Sequence, residues 1–110
     1  MILSTMRMTI PLLKHVEALR ILRSMAEQNS FDPGCLGCRI YRDLREDKIL
    51  MFEEAWKTEE DLETHMRSEE YLNQLLVLEM SLTQPEIRFY TISASKGIEA
   101  IEKRFLYNAG

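Results

Sequence analysis

No apolar run in this sequence approaches the ~20 residues that a membrane-spanning helix needs, so no such span is expected. The N-terminal stretch MILSTMRMTIPLLK has no basic region followed by an apolar block. That removes the pattern of a secretory signal and leaves a cytoplasmic protein as the expectation. Basic charge is also in short supply, with 14 Lys and Arg against 18 Asp and Glu for a net charge of -4. Phosphate backbones call for a basic surface, so nucleic acid is not expected as a partner. A small acidic ligand stays compatible with that balance. No internal repeat or low-complexity segment is present.

Cysteine is scarce too, and the two present, Cys35 and Cys38, form a single CxxC. A thioredoxin-type CxxC opens a helix, whose dipole lowers the thiol pKa. This one runs into an apparent strand, where residues three apart point to opposite faces. A disulfide there would need a local distortion, and no second pair completes a zinc site. The pair reads as two free thiols, buried or half-buried. No metal is expected.

The chain has 110 residues, 45% hydrophobic and 29% charged. That describes one ordinary globular domain able to bury a core, of a size that often gains stability by dimerising. Ile2 to Ile10 alternates, with Ile2, Ser4, Met6, Met8 and Ile10 on one face, as a strand requires. Pro11 ends it and can open a helix. From Leu12 the period changes. Leu12, Val16, Leu19, Leu22 and Ala26 trace one stripe, widened by Ile21 and Met25, and predict a helix of about four to five turns. Asn29 to Gly34 is a loop. Cys35 to Asp43 reads as a second strand, with Arg39 and Tyr41 on one face and Leu36, Cys38 and Ile40 on the other. A short polar turn leads to a third strand, Lys48 to Trp56, its expected hairpin partner.

Thr58 then reads as a helix N-cap, followed by Glu59, Glu60 and Asp61 at the positive end of the helix dipole. Leu62, His65 and Met66 follow at helical spacing, so His65 lies on the face that Leu62 and Met66 should bury. Ser68 is expected to recap a second helical piece whose buried side is Tyr71, Leu72, Leu75 and Leu76. Glu86 to Ser93 makes a fourth strand. The order β-α-β-β-α-β is the ferredoxin-like split unit, an α+β fold with helices on one face of an antiparallel sheet. The other face has no cover, and apolar side chains left wet there predict a partner sheet. Residues 1–94 form this domain. Residues 95–110 are a C-terminal extension in which Ile98, Ile101, Phe105 and Leu106 outline a last amphipathic helix, docked on a partner subunit or folded back.

Particular residues now become recognisable. PGCLGCRIY (Pro33 to Tyr41) resembles a signature of the antibiotic biosynthesis monooxygenase family. FEEAWKTEEDLETH is similar to that family's E-x-W … L-x-x-H pattern, with Glu54, Trp56, Leu62 and His65 at those positions. IRFYTI (Ile87 to Ile92) resembles its closing strand. The resemblance spans most of residues 1–93. It implies a ferredoxin-like unit that dimerises through its sheets into an α/β barrel. It also implies oxidation of quinols, anthrones and related polycyclic phenols by molecular oxygen, with no metal, flavin or other cofactor.

Such chemistry needs one base, an apolar or aromatic cavity, and exclusion of water. His65 is the candidate base or orienting group, since its pKa lies near neutrality. Trp56 could wall the cavity, Glu54 could orient the imidazole, and Tyr41 and Tyr71 could contact a phenolic ligand. Arg39 could hold a phenolate or pair with a sheet carboxylate such as Glu54. Each also has a plainer reading: a satisfied structural histidine, a core tryptophan, a structural ion pair, interface tyrosines. His15 is expected at the surface, and the seven methionines read as core filler. Haem-degrading relatives resemble the Trp56 to Tyr71 region. They ligate iron with a His where this chain has Leu75 and Leu76, and use a first-strand Asn that is missing here.

The leading expectation is a cofactor-independent, homodimeric monooxygenase acting on a small aromatic substrate. The alternative is a non-catalytic dimeric module that binds an aromatic metabolite or serves a stress response. A third reading, isomerisation or cleavage of a carbonyl metabolite, follows from the many chemistries one barrel can host.

Overall fold

The computed structural model describes the backbone of residues 1–109 and the side chains of residues 1–104. The first strand, β1 (Ile2–Thr9), is followed by a single 3₁₀ turn (Leu12–Lys14) and α1 (His15–Asn29). The hairpin β2 (Cys35–Arg42) and β3 (Ile49–Trp56) leads to α2 (Glu59–Met66) and α3 (Glu70–Glu79). The last strand, β4 (Glu86–Thr91), precedes α4 (Glu99–Ala109). The strands form one antiparallel sheet in the order β2-β3-β1-β4, the arrangement of a ferredoxin-like α+β unit.

The alternation read in β1 holds. Ile2, Ser4, Met6, Met8 and Ile10 are all buried beneath the helices. Leu50, Phe52, Glu54 and Trp56 of β3 share that face, in register with β1 through the pairs Met8–Leu50, Met6–Phe52, Ser4–Glu54 and Ile2–Trp56. Ala18, Leu22 and Met25 of α1 and Val77 of α3 close the main core over it. A smaller cluster of Ile2, Trp56 and Leu62 sits at the other end of the sheet.

Two helical stripes are rotated from those expected. On α1 the buried residues are His15, Ala18, Leu22, Met25 and Asn29, while Leu12 and Val16 are exposed. His15 is therefore interior, not surface: its ring nitrogens meet the Ile10 carbonyl at 2.7 Å and Arg42 at 3.4 Å. On α3 the buried residues are Gln74 and Val77, and Leu72, Leu75 and Leu76 are exposed. Met66 is also exposed, whereas Leu62 and His65 beside it are buried.

The Thr58 cap forms as expected, its hydroxyl oxygen accepting from the Asp61 amide at 3.1 Å. Ser68 does not cap α3. Its hydroxyl donates to the His65 carbonyl at 2.6 Å and so closes α2 instead. Gly34 lies where the loop passes against the α2 N-terminus. A Cβ there would collide with the Asp61 carboxylate, so this approach needs glycine.

The largest departure is in β2. Leu36 is an extra residue, a β-bulge, because Cys35 pairs with Trp56 and Gly37 with Ala55. The bulge returns Cys35 to the face that carries Cys38, overturning the expectation that the two thiols point apart.

The opposite sheet face carries no helix among the described residues. By register it presents Leu3, Arg7, Arg39, Tyr41, Met51, Glu53, Arg88 and Tyr90, so it is mixed in polarity, not wholly apolar. Among the described residues α4 makes no extensive contact with another element, and Ile98, just before it, and Ile101 within it are exposed. The radius of gyration is 16.8 Å, against roughly 13 Å for a compact chain of this length. The part of the expected α4 stripe on Phe105 and Leu106 lies outside the described side chains. Among the described residues no helix is long and apolar enough to cross a membrane.

Candidate active site

Glu54 is a carboxylate on the covered face of a central strand, 1% exposed. A charge so placed must be paired or hydrogen-bonded. Three elements supply its partners. Asn29, the last residue of α1, donates from Nδ2 to Glu54 Oε2 at 2.7 Å. Gln74 of α3 donates from Nε2 to Oε1 at 2.9 Å. His65 of α2 brings Nε2 to 3.1 Å from Oε2.

The Gln74 side-chain oxygen also lies 3.2 Å from His65 Nε2. With two oxygen acceptors around it, Nε2 is the nitrogen that carries the proton and donates. The other nitrogen, Nδ1, has no protein hydrogen-bond partner among the described residues, which leaves its lone pair available in the neutral ring. The ring is held by packing as well. Trp56 stacks on it at 4.5 Å between centroids, and Tyr71 meets it edge-on at 5.5 Å.

Burial pushes the His65 pKa down, but the hydrogen bond and charge of Glu54, with help from Gln74 and Asp32, outweigh it. The imidazole titrates above its ordinary value. The Tyr71 phenol is also raised, first by burial and then by the Glu54 charge.

His65 lies at the wall of a cleft of about 330 Å³ between the end of α1 and the α2–α3 junction. Phe31 is the aromatic residue of its lining, and Asn29, Asp32, Thr64, Ser68 and Glu70 make the rest of the wall largely polar. Trp56 does not reach this space. It is fully buried behind His65, and its indole Nε1 has no hydrogen-bond partner among the described residues. Among the described residues no group of three or more His, Cys, Asp or Glu is placed to hold a metal.

Of the residues singled out in the sequence, the fold gathers four: His65, Glu54, Trp56 and Tyr71. It does not bring Arg39 or Tyr41 to them. Both lie on the open sheet face, where Arg39 stands across from Glu53 and the Tyr41 hydroxyl donates to Glu53 at 3.4 Å. The expected pairing of Arg39 with Glu54 does not form, because Glu54 faces the helices while Arg39 and its strand neighbour Glu53 face the open side. Two participants escaped the sequence reading, Asn29 and Gln74. Asn29 carried a usable signal, since it continues the 22, 25, 29 spacing of the buried α1 stripe. Gln74 stands three residues before buried Val77 in a helix rich in leucine.

The profile of a family described as antibiotic biosynthesis monooxygenase matches residues 1–73. No curated protein matches the chain in sequence. Among solved structures, a conserved protein from Methanosarcina mazei Go1 is 27% identical over 81% of this chain and 89% of its own, with a TM-score of 0.75. A Deinococcus radiodurans protein superposes with a TM-score of 0.79 at 18% identity, covering 89% of this chain and 98% of its own. A third, described as an antibiotic biosynthesis monooxygenase, gives 0.75 at 17% identity over 86% of this chain and all of its own, 100%. The latter two likenesses concern the fold.

Proposed function

The chain belongs to the antibiotic biosynthesis monooxygenase family, and from that premise we propose that it oxidises a small quinol or polycyclic phenol with molecular oxygen, using no metal or organic cofactor. The observation that carries this reading is the Glu54–His65 contact at 3.1 Å beside an open cleft. The neutral imidazole accepts the substrate's phenolic proton at Nδ1. Glu54 accepts from Nε2–H and stabilises the imidazolium that forms. The phenolate passes an electron to oxygen, and the resulting radical pair combines into a carbon-bound peroxide that takes the proton back from the imidazolium. The same substrate carbon then loses its remaining proton as the O–O bond breaks, one oxygen leaving as water and the other staying as a carbonyl. Tyr71 stands edge-on to the imidazole but does not line the cleft. It and Trp56, which stacks from behind, act as the surfaces that hold His65, while Phe31 is the aromatic placed to meet the substrate ring.

The proposal includes a homodimer joined through the open sheet faces, with Tyr41 and Arg39 serving that contact, and α4 docked on the second copy. Support comes from the uncovered face and from the exposed Ile98 and Ile101. One observation favours the second reading, a non-catalytic binding module: the cleft carries Asp32 and Glu70 and a single aromatic, Phe31, a lining less apolar than polycyclic rings prefer.

Oxygen uptake with a panel of quinols and anthrones separates the two. The wild type should consume oxygen above background and His65→Ala should lose that excess by about 10²-fold or more, the usual weight of a general base. Background rates for both proteins across the panel would leave the binding module standing.

A further inference from the structure

We propose that Cys35 and Cys38 form a peroxide-reactive dithiol that closes to an intrachain disulfide. Their sulfurs lie 3.6 Å apart on one face of β2. The Leu36 bulge is the cause, since without the extra residue's kink a spacing of three would send them to opposite faces. Closing the bond requires the sulfurs to approach to about 2 Å, a small adjustment at a site where the strand is already irregular. Both thiols are free and half-buried. They line a cleft of about 290 Å³ with Ala26, Ser30, Leu36 and Gly37, separate from the one beside His65 and wide enough for a small oxidant.

The surroundings distinguish the two sulfurs. Burial pushes the Cys38 thiol up to about 12, and the neighbouring sulfur and the Glu54 charge add to that effect against a hydrogen bond from Asn29. That bond runs from Asn29 Nδ2 to the Cys38 sulfur at 3.3 Å. A thiol held so firmly protonated is a poor first nucleophile, which assigns the first attack to Cys35.

The Cys35 thiolate attacks one oxygen of hydrogen peroxide. The O–O bond breaks, hydroxide departs and is protonated to water, and Cys35 becomes a sulfenic acid. The Cys38 sulfur then attacks the Cys35 sulfur. The S–O bond breaks, and the Cys38 proton leaves with the hydroxide as a second water. Two thiols lose two electrons and two protons, and one peroxide is reduced to two waters. The step is independent of the reaction proposed at His65.

The test treats the reduced full chain with hydrogen peroxide and follows free thiols, intact mass and non-reducing peptide maps. The wild type should lose both thiols together, with a mass lower by two hydrogens and a peptide linking Cys35 to Cys38. Cys38→Ser should accumulate a Cys35 sulfenic acid that dimedone traps. In Cys35→Ser, thiol loss at Cys38 should slow by roughly tenfold or more, because reactivity follows the thiolate fraction. Far-ultraviolet circular dichroism confirms that both serine variants fold. Surviving thiols at a peroxide dose that oxidises free cysteine, oxygen adducts on unlinked cysteines, or disulfides between chains would each overturn the proposal. Trapping at Cys38 instead of Cys35 would overturn the assigned order of attack.

Discussion

The Glu54 carboxylate lies 3.1 Å from His65 Nε2, and both side chains are buried. Neither is placed by its own element alone. Glu54 is on the helix-covered face because it is in alternation with Phe52 and Trp56 on β3. His65 is inside because it stands three residues after Leu62 on a helix started by the Thr58 cap. The meeting of a strand carboxylate and a helix imidazole is a product of the fold, and its consequences can be measured.

The first concerns pH and stability. His65 is raised above its ordinary value in the folded chain, so the native state binds its proton more tightly than the unfolded state. The stabilisation from that proton is complete below about pH 6.5, the unfolded value. It falls as pH rises and is gone above the folded value. Urea denaturation between about pH 6 and 8 should therefore show stability falling with pH more steeply in the wild type than in His65→Gln. Equal slopes would mean that the imidazole gains nothing from its setting.

Gln74 is the second lever. It donates to Glu54 and to the Met6 sulfur while its oxygen faces His65. Gln74→Ala should cost about 2 kcal/mol or more by urea denaturation, since it strips a buried carboxylate of a donor. Leu72→Ala, on the exposed side of the same helix, should cost much less in the monomeric fold. A reversed order would place the buried face of α3 on its leucines.

Gly34 tests the loop that carries the chain past α2. Gly34→Ala puts a methyl group into the Asp61 carboxylate, and overpacking of this kind typically costs about 1–3 kcal/mol. Because Asp61 also takes part in the Thr58 cap, the loss should be visible as a lower Tm. Unchanged melting would show that the loop moves aside freely.

The open face gives the fourth. Tyr41 and Arg39 lie on it, away from His65. A Tyr41→Ala, Arg39→Ala double variant should weaken self-association in sedimentation while His65 keeps the wild-type titration. An altered His65 titration with intact association would place these residues at the wrong end of the molecule. Removing residues 95–110 should lower the dimer fraction further if α4 docks on the second copy.

Much of this architecture was legible residue by residue. The two-residue alternation of β1 has one solution, because Ile2, Met6, Met8 and Ile10 cannot all stay dry on any other face. Thr58 with three acidic residues after it likewise marks a helix start. The helical stripes were harder. α3 is apolar on nearly every side, so leucine spacing does not say which side faces inward, and the answer came from the polar Gln74 reaching Glu54. On α1 the buried stripe both begins and ends on polar residues, His15 and Asn29, which apolar periodicity passes over. A polar network drawn from α1, α2, α3 and β3 has no signature in any single segment. The Leu36 bulge is similarly silent, since strand alternation assumes the regular pairing that a bulge interrupts.

The most direct measurement is an NMR titration of the His65 imidazole in the wild type and in Glu54→Gln. The carboxylate should hold the wild-type ring above its ordinary pKa of about 6.5, and neutralising it should let burial prevail and bring the ring below that value. An identical midpoint in both proteins would contradict the account, because the imidazole would then owe its protonation to something other than Glu54.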